Sequence, residues 1–331
     1  MTDHRQMDDL AVTAPASPML ADVGVLADEW GLFCAADARH AGVGPARLAG
    51  LVGSGAVTSV WRGWYAVGAP ESRERLHLLR ALAAQRSMRV PTTLSHYSEL
   101  ARLGLPLYRA NLDHVHLALT TGVGWPRSRG SLRLHPVPAG ALTPEGRVPV
   151  AMAVAATGLV CGPLDALIAA DAALRLELVA RGELAEAAEL LRGHPGSALL
   201  GPFLAIADGR SQSVGETRLR HAFHLMRLPV TPQAKIVGRG FTAYVDLLVE
   251  GEMVVAEFDG LVKYGRSHDS VDGWRSGRSE LVAEKLREDA LRDLGYEVVR
   301  VTWSELADPR GIAVRVGAAL TRSRARRRRP S

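Results

Sequence analysis

The stretch FTAYVDLLVEGEMVVAEFDGLVK, Phe241 to Lys263, decides how the C-terminal half of this chain is read. Two apolar segments flank Glu250-Gly251, which predicts two short strands around a two-residue turn. With Val249 paired to Glu252 across that turn, Asp246 falls opposite Val255. The two-residue period of a strand then puts Glu257 and Asp259 on the same face as Asp246. Asp246 and Glu257 become diagonal cross-strand neighbours, within reach of one metal ion. A one-residue change of register would separate the two carboxylates onto opposite faces.

Working outward, Ser213 to Met226, SVGETRLRHAFHLM, predicts an amphipathic helix with Ser213 as its cap and Glu216 at the third position of a capping box. Glu216 therefore has two readings: a structural cap, or the first acid of a helix-acid, strand-acid, strand-acid order. Leu228-Pro229-Val230 leads through Gln233 into the hairpin. Beyond it, Lys263-Tyr264-Gly265 opens a polar loop to Gly277. Glu280 to Leu294 predicts a helix that carries Lys285 and stops at Gly295 in the C′ position, and Tyr296 to Trp303 alternates as a strand. Helix, hairpin, helix, strand, helix predicts an α/β core with a mixed sheet flanked by helices.

Glu216 and Arg220 in ET-x-x-R, the Asp246 strand, Glu257-Phe258-Asp259-Gly260 and the closing EKLREDALRDLGYEVVRVTW are together similar to the very-short-patch-repair-type endonuclease-like domains, a branch of the PD-(D/E)XK nuclease superfamily. The resemblance implies a DNA phosphodiesterase using Mg²⁺ or Mn²⁺. Asp246 and Glu257 would be the ligands, with the Phe258 carbonyl. A nearby lysine would orient or deprotonate water, and Glu216 would hold a metal-bound water or the helix. Hard divalent cations take such oxygen ligands, stabilise phosphate charge and acidify water. The chain departs from that pattern at Asp259, where the acid-x-lysine motif has lysine. Either Lys263 or Lys285 replaces it in space, or the site has lost the group. Three acids on one hairpin face repel one another unless a cation compensates.

The N-terminal part has a different grammar. Met1 to Pro18 is polar, carries prolines and lacks periodicity, and is expected to be disordered. Leu20, Val23, Leu26 and Ala27 form a helical stripe ending at Gly31. Ala35 to Ala41 and Pro45 to Val52 predict two further helices, the latter opening on a favourable first-position proline. Ala56 to Val60 and Trp64 to Val67 then predict a hairpin through Trp61-Arg62-Gly63. Three helices followed by a hairpin is the order of a winged helix-turn-helix, with Arg39, Arg47 and Arg62 as the candidate DNA contacts. Gly31 to Val67, GLFCAADARHAGVGPARLAGLVGSGAVTSVWRGWYAV, resembles the N-terminal domain of AbiEi-type antitoxins of abortive-infection systems. The other reading of such a module is protein contact or dimerisation, since a fold does not fix a function. With Arg47 its only basic residue, the third helix is a poor sequence-specific reader.

Between them, Glu71 to Ser87 predicts a charged helix and Thr92 to Gly104 another with a Thr cap. Val115 to Leu119 and Leu132 to Val137 predict strands, and Leu164 to Arg192 is strongly helical. His114 and His116 would share a strand face. With Asp113 as the only carboxylate beside them and no cysteine near, His114, His116 and His135 read as ordinary strand histidines rather than a zinc site. The two cysteines, Cys34 and Cys161, suit a reducing compartment. No basic start is followed by an apolar run, and the apolar stretch Val148 to Ala170 is broken by Gly162-Pro163, so a cytoplasmic protein without a membrane segment is expected.

The formal charge is +5, and six arginines lie between Arg322 and Arg329, so the remainder is near neutral. Those arginines read as a basic tail that adds salt-sensitive phosphate attraction, or as a solvated end. Of 40 basic side chains only Lys235, Lys263 and Lys285 are lysines, all near the expected chemistry; lysine can exchange a proton in a site where arginine cannot. The chain thus reads as an α/β multidomain protein: residues 1–18 disordered, a winged-helix domain over 19–70, an α+β connector over 71–205, a PD-(D/E)XK-like endonuclease domain over 206–321 and a basic tail over 322–331. The expected function is DNA binding joined to metal-dependent phosphodiester cleavage. The alternative is a non-catalytic antitoxin or transcriptional regulator with a degenerate nuclease fold, and a third reading is an interaction protein whose winged helix binds a toxin partner.

Overall fold

The computed structural model describes residues 23–120, 127–137, 141–238, 240–260 and 285–328. The segment expected to be disordered, Lys263, the polar loop after it and the first turn of the expected Glu280 helix lie outside the described residues. The chain is a mixed α/β protein that divides into two compact units, residues 1–102 with 111–148, and residues 103–110 with 149–331. The stretch read as a connector is shared between them. Among the described residues no helix is long and apolar enough to cross a membrane.

The first unit opens with β1 (Leu32–Cys34), α1 (Ala35–His40), α2 (Pro45–Gly53), β2 (Val57–Trp61) and β3 (Trp64–Val67). The strands form an antiparallel sheet in the order β1-β3-β2. At three residues, β1 is too short to show alternation, and it escapes sequence reading for that reason. Phe33, Leu48, Leu51 and Val57 close a small core beneath α1 and α2. Helix α3 (Arg73–Arg86), capped by the Ser72 hydroxyl, buries Leu78, Leu79 and Leu82 against β1 and β3 and against a second sheet. That sheet comprises β4 (Thr92–Leu94), β5 (Val115–Leu119), β6 (Arg127–Arg129) and β7 (Leu132–Pro136), ordered β4-β5-β7-β6 with β5 and β7 parallel. Thr92 and Thr93 do not cap a helix. Both are β-branched and pair with Leu119 and Ala118, so the helix starts later, as α4 (His96–Arg102).

The second unit begins with α5 (Val150–Cys161), α6 (Pro163–Arg175), α7 (Arg181–Leu190) and α8 (Leu200–Ala205). The expected helical run to Arg192 breaks between α6 and α7, where Glu177 takes a positive φ of 56°. Next come α9 (Val214–Leu225), β8 (Val230–Gly238), β9 (Phe241–Val249), β10 (Val254–Asp259), α10 (residues 285–293), β11 (Glu297–Thr302) and α11 (Pro309–Arg327). The sheet order is β11-β10-β9-β8, with β10 and β11 parallel and the other pairs antiparallel. Pro232 is tolerated in β8 because β8 is an edge strand.

Alternation along β10 and β11 feeds two cores. Val254, Ala256, Val299 and Val301 pack with Leu219 and Phe223 of α9 and with Ile312 and Val316 of α11. Val255 and Val298 point the other way, to Leu291 of α10. The sheet is therefore covered on both faces. Residues 322–327 of the expected basic tail are instead the last turns of α11: Arg322 and Arg326 each pair with Glu297 at 2.8 Å, and Arg324 pairs with Glu252 at 2.6 Å. A helix that continues past Leu320 aims these arginines back at β11 and the hairpin turn.

Candidate active site

The hairpin forms with a longer connection than expected. Val249 ends β9 and Val254 begins β10, so residues 250–253 make the turn, closed by Glu252 N–H donating to the Val249 carbonyl at 3.1 Å. The observed pairs are Leu248 with Val255 and Leu247 with Ala256. This register differs from the expected one by two residues, an even number, so each side chain keeps its face. Its extension sets Asp246 opposite Glu257 rather than opposite Val255.

The described pairing of β9 with β10 ends at Leu247 and Ala256. At the opening, Asp246 reaches across the gap: its Oδ2 accepts a 2.7 Å hydrogen bond from the Phe258 N–H. Its Oδ1 faces the Gln233 amide of β8, which lies 3.5 Å away. Gln233 adopts a positive φ of 49°, a conformation that costs a non-glycine residue about 1–3 kcal/mol and persists where surroundings over-determine it. Its Nε2 also donates to Glu216 Oε2 at 2.9 Å. Glu216, Gln233 and Asp246 form one polar chain from helix to sheet.

Glu216 sits on the first turn of α9. Ser213 caps that helix by accepting from the Glu216 N–H at 3.2 Å, but the reciprocal half of the expected capping box is altered. The Glu216 carboxylate accepts from the Gln212 N–H at 2.9 Å, one residue earlier than a capping box requires. The helix itself is held by a buried network: Asp171 Oδ2 of α6 accepts from Arg220 at 2.6 Å and from the Thr217 hydroxyl at 2.7 Å. Thr217 and Arg220 of the ET-x-x-R segment are thus anchors for α9. Gly215 completes the placement, since a Cβ there would run into the Phe258 ring.

Glu257 is buried, at 5% exposure, and among the described residues the cations that pair with it are arginines. Arg287 of α10 pairs with it at 2.9 Å, and Arg300 of β11 approaches at 3.9 Å. Lys285, one of the two lysines expected to serve the acids, is exposed at the start of the described part of α10; Arg287 stands in its stead. Lys263 lies outside the described residues. Asp259 is half-buried at the end of β10, in register with Thr302. Burial pushes Asp246 up to about 6, and the neighbouring charges of Glu216 and Glu257 push the same way, against the Phe258 hydrogen bond and Arg287. A half-buried carboxylate with two acidic neighbours is the setting a divalent cation would relieve, and the oxygen-only donors suit Mg²⁺ or Mn²⁺. Sequence reading missed the roles of Gln233, Arg287 and Asp171; the proline-glutamine pair inside the strand segment VTPQAKIV was the available sign of the first.

In the first unit, Arg39, Arg47 and Arg62 are all exposed, on α1, α2 and the β2–β3 turn. Arg39 borders a groove of about 500 Å³ lined by Val43, Leu48, Val52 and Tyr65. The histidines also depart from expectation. His116 and His135 come together, joined by His96 of α4, whereas His114 Nε2 meets the Arg133 guanidinium at 2.9 Å.

No family model matches this chain. It is similar to two uncharacterized proteins of Mycobacterium tuberculosis, from strains CDC 1551 and H37Rv, each 31% identical over 163 residues. That region is 48% of this chain, and the chain spans about half the length of the relatives it matches, 56% in each.

Proposed function

We propose that this protein binds DNA and cleaves its phosphodiester backbone with Mg²⁺ or Mn²⁺ in a PD-(D/E)XK-like C-terminal domain, guided by an AbiEi-type winged helix over residues 19–70. The observation that carries this reading is Asp246, which fills the opening between β9 and β10 with Glu216 and Glu257 as electrostatic neighbours and a pKa raised to about 6. Active sites are where such perturbed carboxylates concentrate. In the first unit, two short helices, a three-stranded antiparallel sheet and exposed Arg39, Arg47 and Arg62 support the DNA-binding part.

In this reading Asp246 and Glu257 supply the metal's oxygen ligands, and the bound ion would stabilise charge on the phosphate and acidify water. The Phe258 N–H fixes the Asp246 rotamer. Glu216, tied to Gln233 and the Gln212 N–H, holds α9 at the site and offers its remaining oxygen to ordered water. Arg287 contributes fixed positive charge but no proton transfer, because arginine stays protonated.

The Arg287–Glu257 pair favours a second reading, in which a protein cation has taken the metal's place and the domain serves a non-catalytic, antitoxin-type regulator. Plasmid nicking separates the two. Metal-dependent nicking by the full chain, abolished in Asp246→Ala/Glu257→Ala, supports the nuclease; DNA retention without nicking in either protein supports the regulator.

A further inference from the structure

The first unit carries a second constellation. Parallel pairing of β5 with β7 sets His116 beside Arg133 and Ala118 beside His135, which leaves the two histidines diagonal on one face. His116 Nδ1 lies 2.9 Å from His135 Nε2. His96, the first residue of α4, adds its ring at 3.9 Å from that of His135 and 4.9 Å from that of His116. One ring nitrogen of each residue lies within 4.8 Å of the others. His96 and His116 are 6% and 4% exposed, while His135 is half-buried and forms the open side.

The hydrogen bond of Tyr97 sets the tautomer of His116. The Tyr97 hydroxyl donates to the Asn111 carbonyl at 2.8 Å, so it accepts from His116 Nε2–H at 2.9 Å. His116 is left with its lone pair on Nδ1, toward His135. Ser95 Oγ lies 2.7 Å from His96 Nδ1; a proton on that nitrogen leaves Nε2 of His96 as its lone pair. Behind them, Ser98 Oγ accepts the backbone N–H of His116 at 2.9 Å and lies 3.0 Å from His77 Nε2. Hydrogen-bonded outer partners of this kind orient metal-ligating imidazoles. His96 also holds a positive φ of 50°, a strained conformation at a position with no glycine.

We propose that His96, His116 and His135 form a three-histidine site for a divalent transition-metal ion of the zinc class. Imidazole donors with no carboxylate select Zn²⁺, Co²⁺, Ni²⁺ or Cu²⁺ over Mg²⁺ and Ca²⁺. Metal–nitrogen bonds of about 2.0–2.1 Å need the donors to rearrange around the ion, with His135 turning out of its 2.9 Å contact with His116, a rotamer adjustment open to a half-buried side chain. His135 moves its proton from Nε2 to Nδ1 as it does so, with no net proton release. Three protein ligands leave a fourth position for water. Arg133, whose charge bears on His116 and His135, donates to the Gly130 and Leu132 carbonyls at 2.5 and 3.1 Å.

Co²⁺ titration of the untagged 331-residue chain tests the site. The expected result is one equivalent bound with visible ligand-field absorption, retained in Asp246→Ala/Glu257→Ala, and weakened at least about 100-fold in His135→Gln and in His96→Gln. Tyr97→Phe, which removes the outer partner of His116, weakens binding about 10–100-fold. Circular dichroism of the metal-free variants checks that they fold. If they do not, paramagnetic shifts of the His96, His116 and His135 ring signals on Co²⁺ addition to the unsubstituted protein read ligation directly. Absence of bound Co²⁺ in the unsubstituted protein, or ligand-field absorption that persists in both folded histidine variants, overturns the proposal.

Discussion

Replacing Asp246 with asparagine removes a charge that the fold holds at a cost. The carboxyl ordinarily titrates near 3.8 and here is pushed up to about 6, chiefly by burial and then by Glu216 and Glu257. A raised carboxylate pKa means that the folded state binds the proton more tightly than the unfolded chain. Both states are protonated below the unfolded value, so the cost is small there; it grows between pH 3.8 and about 6 and is complete above about 6. At about 1.36 kcal/mol per pKa unit, the penalty reaches about 3 kcal/mol near neutrality and falls to about 0.5 kcal/mol near pH 4. Asparagine keeps an oxygen for the Phe258 N–H and loses the charge. Hydrogen exchange of the β9 and β10 peptides, corrected for intrinsic rates, reads the local stability without requiring the whole chain to unfold in one step. Asp246→Asn is expected to protect these peptides by about 2–3 kcal/mol more than the wild type at about pH 7.5, and by about 0.5 kcal/mol at about pH 4. Millimolar Mg²⁺ is expected to stabilise the wild type and leave the variant unchanged. A variant that is less protected near pH 7.5, or a difference that does not change with pH, would refute a buried charge at this position.

Three other outcomes follow from named contacts. Arg220→Ala leaves Asp171 buried without its cation and is expected to cost about 3–5 kcal/mol in denaturant unfolding, whereas Arg210→Ala, which removes a largely exposed partner of Asp208, costs under about 1 kcal/mol. Gly215→Ala forces a methyl toward the Phe258 ring and is expected to destabilise by about 1–3 kcal/mol and, by shifting α9 and Glu216, to weaken Mn²⁺ binding; unchanged calorimetric affinity would separate Glu216 from the site. Charge reversal at Arg47 and Arg62 is expected to abolish retention of duplex DNA at moderate salt, measured by gel shift, and retention that survives would move the DNA contacts away from these two arginines.

Much of the C-terminal core was legible because its signals are local. Gly295 stops α10 with a φ of +91°, an apolar run opens β10, and strand alternation marks β11. The faces of Asp246 and Glu257 were also legible, since an error of two residues in register leaves parity intact. What the sequence could not convey was the opening between β9 and β10, which depends on a side chain replacing a backbone partner. Nor could it reveal Arg287, because the register of α10 against the sheet decides which of Lys285 and Arg287 reaches Glu257. The histidine cluster was hidden for a related reason. His96 lies some way from His116 and His135 in sequence, and β4, which delivers it, is a three-residue strand whose threonines mimic a helix cap.

The central claim is that Asp246 and Glu257 form a cation site. Electron paramagnetic resonance of Mn²⁺ titrated into the 331-residue chain tests this most directly, with Asp246→Ala/Glu257→Ala as the comparison. The predicted result is one bound Mn²⁺ that is displaced by Mg²⁺ and lost in the substituted protein while its circular dichroism stays unchanged. Mn²⁺ that remains free in the wild type, or that binds the folded double variant equally well, would contradict it.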